Sequence, residues 1–208
     1  VDEEVNKFAH SLRELGVKKN DVVAILAANC PQYVVAFFAI QSIGAISTAI
    51  SPLYSEKEIR FQLADSGAKV VVTIDLFLDR IRKVQEDTDL EHIIVSSIAD
   101  ELPLIKKILY KVFKGIKDPK VKDEIKYKEF IKRGENTRTH VDIDPKEKVA
   151  VLQYTGGTTG VQKGAMLTDF NLVSQSIIVS HWDLWIGDKR PKGQYLTAGV
   201  LPYSHIFG

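Results

Sequence analysis

One cysteine, Cys30, is all that 208 residues contain, so no internal disulfide can form and a reducing compartment suits the chain. Cys30 follows an apolar run and precedes Pro31, a context that fits a small boundary residue better than a nucleophile. Charge of one sign is also missing, since 28 basic residues face 27 acidic ones for a net charge of +1. A general polyanion binder needs a basic excess to neutralise phosphates, which excludes nucleic acid as a partner. No apolar run is long enough to span a bilayer. The single cysteine makes a cytoplasmic protein the expectation, and the opening Val1-Asp2-Glu3-Glu4 has no initiator methionine, basic leader or apolar signal core. The chain begins directly on a helical pattern and stops at Gly208 after a loop-like run. A segment of a longer protein is the expectation.

What is present is apolar material, 45% of the residues, in short well-separated runs. Val5, Phe8, Ala9, Leu12 and Leu15 recur at helical spacing before Gly16, predicting a helix over 2–15. Val22–Ala27 suits a buried strand, and Pro31 can open a helix running to about Gly44. A strand at Ala45–Ile50 follows, then a helix capped by Ser55 with Glu58 and ending near Gly67. Lys69–Thr73 is the next strand, then a helix around 76–88 and a strand at His92–Ser96. Strands that alternate with helices and read as continuous apolar runs predict an α/β fold with mostly parallel sheets flanked by helices.

Residues 98–134 break this rhythm and read as a basic helical insertion. Within 102–117, Ile105, Ile108, Leu109, Val112, Phe113 and Ile116 share a helical face, while Lys106, Lys107, Lys111, Lys114 and Lys117 occupy the rest. Two readings stand for this segment: peripheral contact with an anionic membrane surface, or a helix docked on its own protein with a solvated lysine face. A short helix near Tyr127–Arg133 and a polar linker at 134–140 lead to Asp144-Pro145. That dipeptide divides an N-terminal α/β subdomain, 1–144, from the start of a second one, 145–208.

From Val149 a buried strand through Tyr154 runs into Thr155-Gly156-Gly157-Thr158-Thr159-Gly160-Val161-Gln162-Lys163-Gly164. An apolar run, Ala165–Leu167, comes next, and Thr168 can cap a helix through about His181. Glycines let backbone N–H groups converge on an anion, threonine hydroxyls add donors, and lysine supplies a compact positive charge. The composition therefore suits phosphate binding. A Walker A loop needs glycine before the lysine and Ser or Thr after it; here Gln162 and Gly164 stand there, so a P-loop NTPase is disfavoured.

Tyr154–Gly164, continuing through Ala165–Asn171, resembles the AMP-binding signature of the adenylate-forming superfamily. The two glycines after Thr155 are similar to its long-chain fatty-acyl-CoA synthetase branch. The likeness extends over nearly the whole chain, through the region from Asn20 to Thr73 and through Leu201-Pro202-Tyr203-Ser204-His205-Ile206-Phe207-Gly208, which resembles a later motif whose histidine borders the acyl and adenylate site. Three positions depart from the pattern: Gln162 stands for proline, Asp169 for histidine and Ser204 for a bulky residue.

The resemblance implies a fatty-acid–CoA ligase, an AMP-forming acid–thiol ligase with ATP, Mg2+ and coenzyme A as cofactor and co-substrates. On it, Thr155, Gly156, Gly157, Thr158, Thr159 and Gly160 wrap the β- and γ-phosphates, and Lys163 offsets their charge. Thr155 approaches Mg2+, and His205 joins Lys163 as a catalytic candidate beside the acyl-adenylate. The adenine, ribose, coenzyme A and C-terminal catalytic groups are implied to lie beyond Gly208, so this chain alone is expected to be inactive. Two alternatives stay open: an aryl-CoA ligase or peptide-synthetase-type adenylation domain, and a non-catalytic nucleotide-binding module. A homodimer is also left open.

Overall fold

A computed structural model describes residues 1–97, 124–155, 162–185 and 201–205. The helices are α1 (Asp2–Glu14), α2 (Pro31–Ser42), α3 (Glu56–Ser66), α4 (Leu78–Gln85), α5 (Tyr127–Arg133) and α6 (Asp169–Trp185). The strands are β1 (Val22–Leu26), β2 (Ile46–Ala49), β3 (Val70–Ile74), β4 (His92–Ser96), β5 (Ile125–Lys126), β6 (Val149–Thr155) and β7 (Lys163–Thr168). They form one seven-stranded sheet in the order β5-β4-β3-β1-β2-β6-β7. Every neighbouring pair is parallel except β6 and β7, which form an antiparallel hairpin. The expected mostly parallel α/β fold is therefore present. Its first five strands run 2-1-3-4-5, the order of flavodoxin-like sheets.

Strand alternation distributes the core between two faces. Val23, Ile25, Val70, Val72 and Ile94 pack with α1, α2 and α5 on one side. Ala24, Leu26, Val71, Ile93 and Val95 pack with α3 and α4 on the other. A strand buried on both faces has no solvent side to carry polar residues, which is why these runs read as continuously apolar. Phe8 of α1 is fully buried, its ring 5.2 Å from Tyr127 and 5.0 Å from Phe130 of α5. Burying such a ring contributes roughly 1.5–3 kcal/mol by area alone.

Local chemistry sets the ends. Ser55 and Glu58 form the expected capping box, each satisfying the other's backbone N–H, and Gly67 closes α3 in the left-handed region at φ 64°. The helix expected around 76–88 is shorter than its pattern. A 3-10 turn over Asp75–Phe77 precedes α4, and Asp87 and Thr88 bond back to Val84 and Gln85 in a tightened last turn. At the other end of the chain α6 runs on to Trp185, four residues past the expected stop. No described helix is long and apolar enough to cross a membrane.

Candidate functional site

The hairpin of β6 and β7 carries the candidate loop. Thr155 and Lys163 are ladder partners, as are Tyr154 and Gly164, and Gln153 and Ala165. The loop thus leaves and re-enters the sheet between two adjacent backbone positions. Ladder partners share a face and neighbours alternate, so Gln153, Thr155, Lys163 and Ala165 occupy one face, and Tyr154 and Gly164 the other. Thr155 and Lys163 are both exposed, and they stand side by side at the carboxyl end of a strand parallel to β2. The crevice beyond the carboxyl ends of parallel strands is where open α/β sheets bind ligands. Gly156, Gly157, Thr158, Thr159 and Gly160 lie outside the described residues.

Gly164 matters here for a reason the phosphate reading did not supply. A Cβ on it would lie 3.0 Å from Cζ of the Tyr154 ring. The missing side chain makes room for that ring, whose hydroxyl donates to Asp65 Oδ2 on α3 at 2.6 Å. The hairpin is thereby tied to the helix layer at the root of the loop.

The segment 201–205 sits against the same end of the sheet. Asn29, just beyond β1, donates from Nδ2 to the Leu201 carbonyl at 2.7 Å and accepts from the Tyr203 N–H at 2.8 Å. The Tyr33 hydroxyl donates to the Tyr203 carbonyl at 3.0 Å, and the two rings meet at a tilt with centroids 5.4 Å apart. Gln153 of β6 donates from Nε2 to the Ser204 carbonyl at 3.2 Å. Ser204 is buried beneath these contacts. His205 follows, exposed, its N–H closing a turn onto the Pro202 carbonyl at 2.9 Å. Gln153 therefore connects the strand that carries Thr155 to the segment that carries His205. Asn29, Tyr33 and Gln153 were not among the sequence candidates: a lone polar residue in a loop or strand makes no periodic pattern.

Asp169 also finds a partner. Lys148 is buried, with Nζ donating to Gln41 Oε1 and the Ala45 carbonyl, both at 3.0 Å, and lying 3.5 Å from Asp169 Oδ2. No hydrogen bond satisfies that carboxylate oxygen among the described residues. Burial pulls the Lys148 ammonium below its ordinary pKa, and Asp169 opposes the shift. The other histidines are peripheral to the hairpin: His10 faces Glu135 at 3.9 Å, and His181 is exposed on α6. Among the described residues no group of three or more His, Cys, Asp or Glu could hold a metal ion. Thr155 offers one hydroxyl. A cavity of about 780 Å³ opens between α1, α2 and residues 138–143, and no candidate residue lines it.

Burial raises the pKa of both Tyr33 and Tyr154, with the Cys30 thiol adding to the first shift and the Asp65 carboxylate to the second. A raised folded pKa gives stability that is complete below the unfolded value of 10.0 and is lost as pH climbs toward the folded one. Lys148, shifted downward, works in the opposite sense. Stability is therefore expected to fall above pH 10 through the tyrosines, and Tyr154→Phe should flatten that slope in urea melts. An unchanged slope would show that the hydroxyl is not held protonated by its site.

The chain was compared with known proteins. A family model described as AMP-binding enzyme matches residues 1–208. A long-chain-fatty-acid–CoA ligase of Bacillus subtilis (strain 168) is 33% identical over 97% of this chain and 36% of its own length. A long-chain-fatty-acid–CoA ligase of Salmonella typhimurium is 36% identical over the whole chain and 37% of its own length. A solved long-chain-fatty-acid–CoA ligase from Archaeoglobus fulgidus superposes with a TM-score of 0.69 at 28% identity, covering 86% of this chain and 31% of that one. The chain thus spans little more than a third of the length of the curated relatives it matches.

Proposed function

The chain belongs to the AMP-binding enzyme family, and on that premise we propose that it is the triphosphate-gripping front part of a fatty-acid–CoA ligase. The observation that carries the proposal is the pairing of Thr155 with Lys163 across the hairpin, beside the docked segment that ends in His205. That rung sets the two ends of a segment rich in glycine and threonine side by side at the carboxyl end of β6. Glycine and threonine residues can present several N–H groups and hydroxyls to one anion.

The reaction proposed for the whole protein has two steps. A fatty-acid carboxylate attacks the α-phosphorus of ATP, forming acyl-adenylate and releasing pyrophosphate. The thiol of coenzyme A then displaces AMP. An anionic nucleophile must approach an anionic triphosphate, so the first step depends on positioning and charge compensation. In this proposal Thr155–Gly160 hold the β- and γ-phosphates, and the Lys163 ammonium compensates the charge carried off by pyrophosphate. His205 lies on the acyl side, where an imidazole can hydrogen-bond the carboxylate. Mg2+ bound with ATP would neutralise further charge, and Thr155 is the residue that would face it. A magnesium ion keeps most of its ligands from water and phosphate, so one protein hydroxyl fits its habits.

The division at 144/145, a cytoplasmic location and peripheral membrane contact through 102–117 belong to the same proposal; residues 102–117 lie outside the described residues. The test is acid-dependent ATP–pyrophosphate exchange on the whole protein with fatty, aryl and amino acids. Exchange should be fastest with fatty acids. Preference for an aryl or amino acid would move the substrate class, and exchange with none would leave a nucleotide-binding module without ligase chemistry.

A further inference from the structure

The contacts of the 201–205 segment are unevenly distributed. One side chain, Asn29, makes two of them in opposite senses: its amide nitrogen donates to the Leu201 carbonyl at 2.7 Å, and its amide oxygen accepts from the Tyr203 N–H at 2.8 Å. That is the pairing a neighbouring β-strand residue would provide, supplied here by a side chain. Only a carboxamide can do both at this reach. Aspartate has no donor, and its charge would face the Leu201 carbonyl.

Asn29 is exposed, in the short connection between β1 and α2. It follows the buried strand β1 and precedes Cys30, whose extended backbone starts α2 with Pro31 at its first position. Tyr33, one turn into α2, adds its hydroxyl to the Tyr203 carbonyl at 3.0 Å. The start of α2 therefore holds Leu201 and Tyr203, and Gln153 of β6 holds Ser204 at 3.2 Å. Three of the four residues leading to His205 have their backbone held by side chains from the start of α2 and from β6, with Asn29 making the only paired contact among those described.

We propose that Asn29 is a positioning residue for His205: its carboxamide sets the height and direction of the segment that presents the imidazole to the acyl side of the site. The proposal rests on the reading of His205 as a site residue. Among the described residues no hydrogen bond joins Asn29 to Thr155 or Lys163, so its influence should fall on the acid and leave ATP alone.

The test uses the whole protein and acid-dependent ATP–pyrophosphate exchange, with Asn29→Asp, His205→Ala and the double variant. Asn29→Asp should lower the exchange rate about tenfold, the size of effect expected from losing one oriented hydrogen bond, with the KM for ATP held within about twofold. In the His205→Ala background the same substitution should cost nothing further, because groups that act through one another are not additive. Tyr33→Phe, which removes one hydroxyl from the same segment, should cost about threefold and likewise become silent without His205. It serves as the reporter if Asn29→Asp fails to fold. Losses that multiply in the double variant, or a KM for ATP that rises in step with the fall in rate, would overturn the proposal and leave Asn29 a purely structural residue. If His205→Ala lowers exchange while Asn29→Asp and Tyr33→Phe do not, the positioning role alone fails. Full exchange in His205→Ala would bring down the underlying reading with it.

Discussion

Lys163→Ala in the whole protein is expected to slow ATP–pyrophosphate exchange by about 100- to 1,000-fold, the usual cost of deleting one preorganised charge donor at a reacting centre. Lys163 opens β7 opposite Thr155, exposed, with its stem leaving the sheet where the loop begins and ends. Nothing in the described packing depends on its ammonium, so the thermal midpoint should stay within the scatter of surface substitutions, about 0.5 kcal/mol. That separation makes the experiment decisive: activity falls while stability holds. Lys163→Arg keeps the charge but replaces a compact ammonium with a broader planar fork, and should recover only part of the loss. Adding Thr158→Ala and Thr159→Ala should raise the KM for ATP further. Unchanged exchange in Lys163→Ala would mean that the loop grips no triphosphate, and the ligase proposal would lose its main support.

How far the site was legible in the sequence follows from the range of the interactions that build it. Strands β1, β3 and β4 announce themselves because burial on both faces leaves a nearly continuous apolar run, and α3 because a capping box is a contact between residues three apart. β7 is different. Lys163–Thr168 is largely exposed, at the edge of the sheet, and only Ala165–Leu167 is apolar, so neither alternation nor a continuous run marks it as a strand. Its antiparallel pairing, in which Gly164 makes room for the Tyr154 ring, is a tertiary fact. Thr155 and Lys163 could be picked out because they belong to a dense local pattern. Asn29, Tyr33 and Gln153 could not. Each is an isolated polar residue whose partners lie 51 to 174 positions away.

Asp169 shows the same limit from the other side: as a departure from the family pattern it reads as a local charge near a helix start, and its partner is visible only in the fold. The second large effect is expected there. Lys148→Met should destabilise the protein by about 3 kcal/mol, at the lower end of the cost of breaking a buried ion pair because Asp169 retains some solvent contact. The methionine keeps the apolar stem but leaves the Asp169 carboxylate without its facing cation and strands two acceptors, Gln41 Oε1 and the Ala45 carbonyl. Adding Asp169→Asn to that variant should restore part of the loss, since the stranded charge is the costlier of the consequences. Asp169→His, which reinstates the residue usual in the superfamily, should destabilise too, by removing the carboxylate that faces a buried ammonium. Urea titrations of the parent, Lys148→Met, Asp169→Asn, their double variant and Asp169→His decide the matter. Additive losses for Lys148→Met and Asp169→Asn would mean that the two groups do not interact. Because Lys148 precedes β6 and Asp169 opens α6, the pair fastens both outer ends of the hairpin. It holds the two strands together at the end opposite Thr155 and Lys163.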